Sequence, residues 1–287
     1  MATGSQYPAF EQLDLFAGSG VAAPAEAEPM NWAPLDPAKL SDAELIAVLP
    51  RARQVEAPGL AAEAARRRLA DAVPALEALC RRFAGFGLDR EVTEQVAALR
   101  SLAVLGGQLA TQAVTRLIVA GAVRGPGMRA AMETAAELAC RLPPDRVAES
   151  LRSDDPRIRE AACRCARGGT EVISGLVDLL SDLHGSVMQA AALALGRLGR
   201  REGHAVLVDL LRTAPSKEVI GALAGIADDD DWVRLGQTAI RVPDLATVVF
   251  DVLEESEEPR ALAAAEGVRR RLPVPEADVS VTAKRNP

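Results

Sequence analysis

From Ser41 to about Leu272 the chain reads as a series of short apolar helices separated by Gly, Pro and acidic breaks. No stretch shows the apolar–polar alternation of a half-buried strand. The pattern predicts helices over 41–49, 58–69, 72–83, 91–105, 109–120, 126–140, 144–151, 156–166, 171–180, 185–197, 203–211, 216–226, 231–240, 243–253 and 257–271. The first has a clear start signal. Ser41-Asp42-Ala43-Glu44 places Glu three residues after a Ser cap, directly ahead of Leu45-Ile46, the arrangement of a capping box.

One segment recurs. It is an apolar helix closing on a Leu pair or Leu-Ile, then a polar turn, then a helix rich in small residues. The copies are clearest over Val147–Gly169, Gly175–Gly199 and His204–Ala227. Their anchors Leu151, Leu180 and Leu211 are 29 and 31 residues apart, and Leu79, Ile118 and Leu253 mark looser copies outside them. A single such hairpin cannot bury its apolar face, whereas stacked neighbours can. The expected fold is therefore all-α: an α-solenoid of stacked antiparallel helix hairpins. Ala and Gly in each second helix would allow close approach, with Leu195 and Leu198 filling the groove between hairpins.

The segment resembles the HEAT repeat family. The resemblance is carried by Leu179, Leu180 and Asp182 at the turn and by Val187 to Gly199 in the following helix. Asp155-Pro156, Ile158 and Arg159 match the family's D-P-x-V-R turn. Met188 stands where a second Arg would continue an Asp–Arg ladder along the stack. The resemblance covers about 145–227, and 41–144 joins the array by continuity.

Composition agrees. Of 287 residues, 49% are hydrophobic and 3% aromatic, and 55 are Ala. Ala with Leu and Arg favours helix, which excludes an all-β fold. The net charge is −7 and the pI about 5.1, which argues against a dedicated nucleic-acid-binding domain. Thirty of the 33 basic residues are Arg, a bias attributed here to genome composition. Cys163 and Cys165 would point about 200° apart on a helix, and His184 and His204 complete no ligand spacing. Cys80, Cys140, Cys163 and Cys165 are thus expected as buried structural thiols, with no metal and no cofactor. Such thiols suit a reducing compartment. The N-terminus lacks a basic segment followed by an apolar one. The stretch Ser101–Val123 is interrupted by Gly106, Gly107, Gln108, Gln112 and Arg116, so it reads as two packed helices and not as a membrane span. The expectation is a soluble, cytoplasmic protein with no membrane partner.

Residues 1–38 differ from the rest. They contain no Lys or Arg, five acids (Glu11, Asp14, Glu26, Glu28, Asp36) and five prolines. They are expected to form a disordered acidic tail, with 39–272 the repeat domain and 273–287 a flexible C-terminal tail. Without those five acids the remainder carries a net charge of only −2. Four of the eight aromatic residues, Tyr7, Phe10, Phe16 and Trp32, nevertheless lie in this tail. Disordered linkers avoid rings, so these need a reason. Gln12-Leu13-Asp14-Leu15-Phe16 resembles the pentapeptide by which bacterial replication and repair proteins bind the β sliding clamp. The resemblance implies that Gln12 hydrogen-bonds at a groove rim. Leu13, Leu15 and Phe16 supply apolar contacts, Leu15-Phe16 entering the deep pocket, and Asp14 is the tolerant position. The other readings are a segment that docks on the protein's own first hairpin, or one that serves a different partner.

Among charged residues, seven Arg face four acids over 51–82. Arg164, Arg167, Arg197, Arg200 and Arg201 fall on second helices of successive repeats, which in HEAT-like arrays usually line the concave face. They offer either a phosphate-binding groove or a solvated helix face. Asp228-Asp229-Asp230-Asp231 reads as the N-cap of a helix, with cation binding as the alternative. No nucleophile motif, phosphate loop or metal motif is present in the sequence. The reading is a non-enzymatic helical-repeat adaptor that binds a protein partner, and DNA less readily, and that is recruited to DNA replication or repair through its tail. A generic scaffold is the first alternative. A HEAT-like DNA glycosylase is the second, poorly suited by a near-neutral body with four aromatics.

Overall fold

A computed structural model of the protein describes residues 35–272. Among them fifteen α-helices occur and no strand. They are α1 (Asp42–Val48), α2 (Ala57–Arg66), α3 (Val73–Arg82), α4 (Thr93–Leu105), α5 (Gly107–Val119), α6 (Gly127–Glu137), α7 (Pro144–Leu151) and α8 (Pro156–Cys165). There follow α9 (Thr170–Asp178), α10 (Gly185–Arg197), α11 (His204–Thr213), α12 (Lys217–Ala224), α13 (Asp229–Arg241), α14 (Ala246–Glu255) and α15 (Pro259–Arg271).

Consecutive helices pair as hairpins, and the pairs stack. The even-numbered helices from α2 to α14 pack side by side as one layer, while α3 on α5, α7 on α9, and α11 on α13 on α15 build a second. This is the two-layer arrangement of an α-solenoid, each hairpin burying its apolar face only against its neighbours. The anchors Leu79, Ile118, Leu151, Leu211 and Leu253 are all buried. Leu195 is fully enclosed, and Leu198 packs partly buried against the same core.

Local chemistry sets the helix ends. Ser41 Oγ accepts from the Glu44 N–H, while the Glu44 carboxylate accepts from the Ser41 N–H at 2.8 Å, which closes the expected capping box. Asp155 caps α8 through the Arg157 N–H, with Pro156 in the first turn, where its missing N–H costs nothing. Gly106 and Gly107 both take positive φ, at 64° and 75°, and part α4 from α5. The apolar stretch over Ser101–Val123 is therefore two helices, and no helix among the described residues is long and apolar enough to cross a membrane. Gly196 marks the closest packing. A Cβ there would sit 2.6 Å from the Ala222 carbonyl oxygen on α12, so only Gly lets α10 and α12 approach this far.

The helix predicted over 58–69 ends at Arg66, because Arg68 turns left-handed at φ 56°. The last four positions of the tail expected over 1–38 fall among the described residues. Pro37–Lys39 is a 3-10 turn whose Pro37 and Ala38 carbonyls accept from Arg67 Nη2 at 3.0 and 3.2 Å. Residues 1–34 of the expected N-terminal tail, with the Gln12–Phe16 pentapeptide, and the C-terminal tail expected at 273–287 lie outside the described residues.

Candidate binding surface

Four arginines of the repeat body reach back to carbonyls of the preceding repeat. Arg82 on α3 donates to the carbonyls of Pro50 and Ala52. Arg146 on α7 donates to Val119, Arg197 on α10 to Cys163, and Arg241 on α13 to Leu211 and Arg212. Each reaches back 27 to 34 residues, one repeat. The last carbonyls of a helix lack intrahelical partners and carry its negative dipole end. A guanidinium fork suits both properties. Four members of the Arg-rich set, whose abundance was attributed to genome composition, thus have a specific structural role. Buried Gln95 does the same with a neutral group, its Nε2 donating to the Cys80 and Ala122 carbonyls at 3.0 and 2.9 Å.

One rung of an Asp–Arg ladder is present. Arg159 on α8 donates from Nε and Nη2 to the two carboxylate oxygens of Asp182 at 2.8 and 3.0 Å, with both side chains largely buried. Burial alone would raise the Asp182 pKa. The His184 N–H and the Arg159 guanidinium outweigh it and hold the carboxyl below its usual range. Met188 lies at the matching position of α10, so the rung is not repeated there.

The Asp228–Asp231 run is the N-cap of α13, which begins at Asp229 rather than Asp231. Asp228 accepts from the Asp230 and Asp231 N–H groups, and Asp231 accepts back from the Asp228 N–H at 3.1 Å. Asp231 is fully buried, and His204 Nε2 lies 2.7 Å from its Oδ2. One ligand atom from each of His204, Asp228 and Asp231 falls within 4.8 Å of the others. Arg201 pairs with Asp228 and Arg234 with Asp231. The carboxylates therefore already hold the positive charge and donors they need, which favours the cap over a cation site. The sequence did not reveal the His204–Asp231 pairing, because its partners are 27 residues apart.

The four thiols are buried and unbridged. Burial pushes Cys80, Cys163 and Cys165 up to about 12, far from the range of a reactive thiolate.

The five arginines singled out from the sequence divide. Arg164 and Arg197 are on the last turns of α8 and α10. Arg167 and Arg200 lie in the turns that follow, and Arg201 opens a 3-10 turn, so the expectation that all five sit on second helices is corrected. Arg200 pairs with Glu202 at 2.6 Å, Arg201 with Asp228 at 3.1 Å, and Arg164 more loosely with Glu160 at 3.6 Å. Arg167 is exposed and has no ion-pair partner among the described residues. Over the basic stretch 51–82, Arg53, Arg66, Arg67 and Arg81 are each paired with an acid.

Open surface lies elsewhere. A groove of about 720 Å³ has Ile118, Val123, Met128 and Ile158 in its lining, together with Arg124 and Asp154. Leu88 also lines it and is 63% exposed, two residues from Phe86, which is 64% exposed. Two large apolar side chains thus stand in water beside this groove, which makes it a candidate partner site. Sequence reading passed over Phe86, whose signal was its rarity, one of four rings in the body. A smaller groove of about 420 Å³ lies between α11 and α13, with Val208, Leu211 and Thr238 among its lining residues.

These stacked hairpins define an α-solenoid. Residues 144–227 match the family model for HEAT repeats, and the chain carries HEAT repeats there. No curated protein matches the chain by sequence. Among solved structures, it is similar to the complex of CpcE and CpcF of phycocyanin lyase from Nostoc sp. PCC7120. The identity is 18%, over 88% of this chain and 100% of that chain, with a TM-score of 0.52. It is also similar to YibA of Escherichia coli, with 15% identity over 82% of this chain and 94% of that chain, and a TM-score of 0.37. The first likeness carries the fold alone.

Proposed function

We propose that this protein is a cytoplasmic, non-enzymatic adaptor of bacterial DNA replication or repair. Its Gln12–Phe16 segment binds the β sliding clamp, and its HEAT-repeat body holds a second protein. The observation that carries the recruitment step is the pentapeptide Gln12-Leu13-Asp14-Leu15-Phe16, placed 25 residues ahead of the first capped helix at Asp42. Three apolar anchors in so short a segment suit a preformed groove. Micromolar binding of this kind, about −8 kcal/mol, raises local concentration without fixing geometry.

The body supports an adaptor in a different way. Its thiols are held protonated, its carboxylates are largely tied to arginines or helix ends, and its open features are grooves with exposed apolar residues beside them. The glycosylase alternative finds little support. Trp232 is buried, Phe250 lies under Arg269, and the exposed Phe86 packs edge-on against Phe83 at 6.4 Å, whereas a flipped base is stacked between the side chains of a snug pocket. Lyase activity is not carried over from the Nostoc complex at 18% identity. A scaffold unconnected with DNA remains the competing reading, favoured by the Phe86–Leu88 surface, which would serve any partner.

A labelled peptide spanning residues 6–20 and titrated with purified β clamp tests the recruitment step. Saturable micromolar binding that is lost on Leu15→Ala/Phe16→Ala is expected. Equal binding by both peptides, or by neither, removes the clamp from the account and leaves the generic scaffold.

A further inference from the structure

The C-terminal ends of α6, α8 and α10 meet along one edge of the even-numbered layer. Arg197 closes α10 and donates to the Cys163 carbonyl at the end of α8. The Cys165 thiol, on that same last turn of α8, feels the charges of Cys140, Arg167, Arg164 and Arg197. Three arginines recur here once per repeat. Arg141 follows α6, Arg167 follows α8, and Arg197 ends α10, at intervals of 26 and 30 residues. Arg141 and Arg167 are exposed; Arg197 is exposed over part of its side chain, with its guanidinium partly enclosed where it meets the Cys163 carbonyl, and none of the three forms an ion pair among the described residues. Their neighbours Arg164, Arg200 and Arg201 at the same edge each have an acid. The shortage of negative charge is felt locally. Partial burial, and then the nearby Arg167 and Arg164 charges, hold Arg197 below its usual value.

We propose that Arg141, Arg167 and Arg197 form a receptor row for an extended acidic segment of a protein partner, with one carboxylate per repeat. The spacing fits. Helices packed side by side stand about 8–10 Å apart. An extended polyproline-type segment rises about 3.1 Å per residue with three residues per turn, so acids three residues apart fall about 9 Å apart on one face. Arginine forks take carboxylates in bidentate geometry. A single-stranded nucleic acid would satisfy the charge. It also gains much of its affinity by stacking on rings, and the body's four aromatics, Phe83, Phe86, Trp232 and Phe250, are on or beside α3, α13 and α14, none on α6, α8 or α10. The inference rests on the adaptor reading and names the chemistry of the second partner.

The test uses the full-length protein and a fluorescent (Glu-Pro-Pro)n peptide, with (Gln-Pro-Pro)n and an oligo-dT of similar length as comparisons. The Glu peptide is expected to bind, to weaken steeply with salt, and to lose about tenfold in affinity in Arg141→Gln/Arg167→Gln. Arg197 is left intact in that variant because it also clips α8. A control of equal charge, Arg152→Gln/Arg157→Gln at the opposite end of α8, is expected to bind as wild type. No binding of the Glu peptide, equal loss in both variants, or tighter binding of oligo-dT overturns the proposal. Clamp binding by the Arg141→Gln/Arg167→Gln variant is measured alongside. If it persists while the Glu peptide fails, the receptor row is lost and recruitment stands.

Discussion

Arg159 on α8 and Asp182, four residues beyond α9, are joined by two parallel hydrogen bonds of 2.8 and 3.0 Å. The guanidinium also donates to the Ser153 and Asp154 carbonyls, at 2.9 and 3.1 Å. One side chain therefore ties the turn of its own hairpin to the next. In a solenoid, where each repeat touches only its neighbours, such a rung sets the coupling between units.

Removing one partner strands the other in a largely buried site. Arg159→Ala is expected to cost about 2–3 kcal/mol of unfolding free energy. Arg159→Ala/Asp182→Asn should cost less than the sum of the two single changes, because the Asn oxygen keeps the His184 N–H bond and no charge is left unpaired. Urea unfolding of the four proteins gives the coupling energy directly. A purely additive result would remove the rung from the account.

Gly196 reports on packing between α10 and α12. In Gly196→Ala the new Cβ would meet the Ala222 oxygen at 2.6 Å and both Ala222 Cβ and Leu207 Cδ1 at 2.9 Å. A loss of about 1–3 kcal/mol is expected from overpacking, against the small gain that Gly→Ala gives in an open helix. Gly221→Ala on α12, with nothing within 4 Å, is the matched control and is expected to be neutral or slightly stabilising. Thermal unfolding of the two variants separates these outcomes.

Fifteen predicted helices correspond one to one with those observed, and two, 144–151 and 185–197, agree at both ends. These ends were legible because local residues set them: Pro144 in a first turn, Gly185 opening α10, and Gly199 at φ 68° just beyond its close. The solenoid was legible through its period. What escaped were contacts one repeat away. The Arg241 clip and the His204–Asp231 pair join residues 27 to 30 positions apart, and a polar side chain on a helix surface gives no sign of which carbonyl it will reach. Phe86 and Leu88 escaped because a loop between helices carries no periodicity from which exposure can be read.

Acid should weaken the α11–α13 junction. Burial pushes the Asp231 carboxyl upward, but hydrogen bonds from His204, the Asp228 N–H and Arg234 outweigh it and hold the group below its ordinary 3.8. A carboxyl depressed in the folded state contributes stability above its unfolded pKa and loses that contribution as pH falls through the folded value. Unfolding free energy is therefore expected to drop below about pH 4. In Asp231→Asn the protein should be less stable at neutral pH but lose less between about pH 5 and pH 3. An unchanged slope would assign the acid sensitivity to other carboxylates.

The thiols offer a check on the buried core. With Cys80, Cys163 and Cys165 raised to about 12 by burial, the native protein should react very slowly with a disulfide reagent at neutral pH. All four thiols should appear on denaturation. Rapid native labelling of two or more would mean that the repeats open far more readily than their packing implies.

Recruitment is decided by binding of the full-length protein to immobilised β clamp, with wild type compared against Leu15→Ala/Phe16→Ala. Wild type is expected to bind saturably in the micromolar range and to be competed by the free peptide of residues 6–20. The double variant is expected to lose at least about tenfold, since two apolar anchors are removed. Equal binding by the two proteins, or none by wild type, would exclude recruitment through Gln12–Phe16.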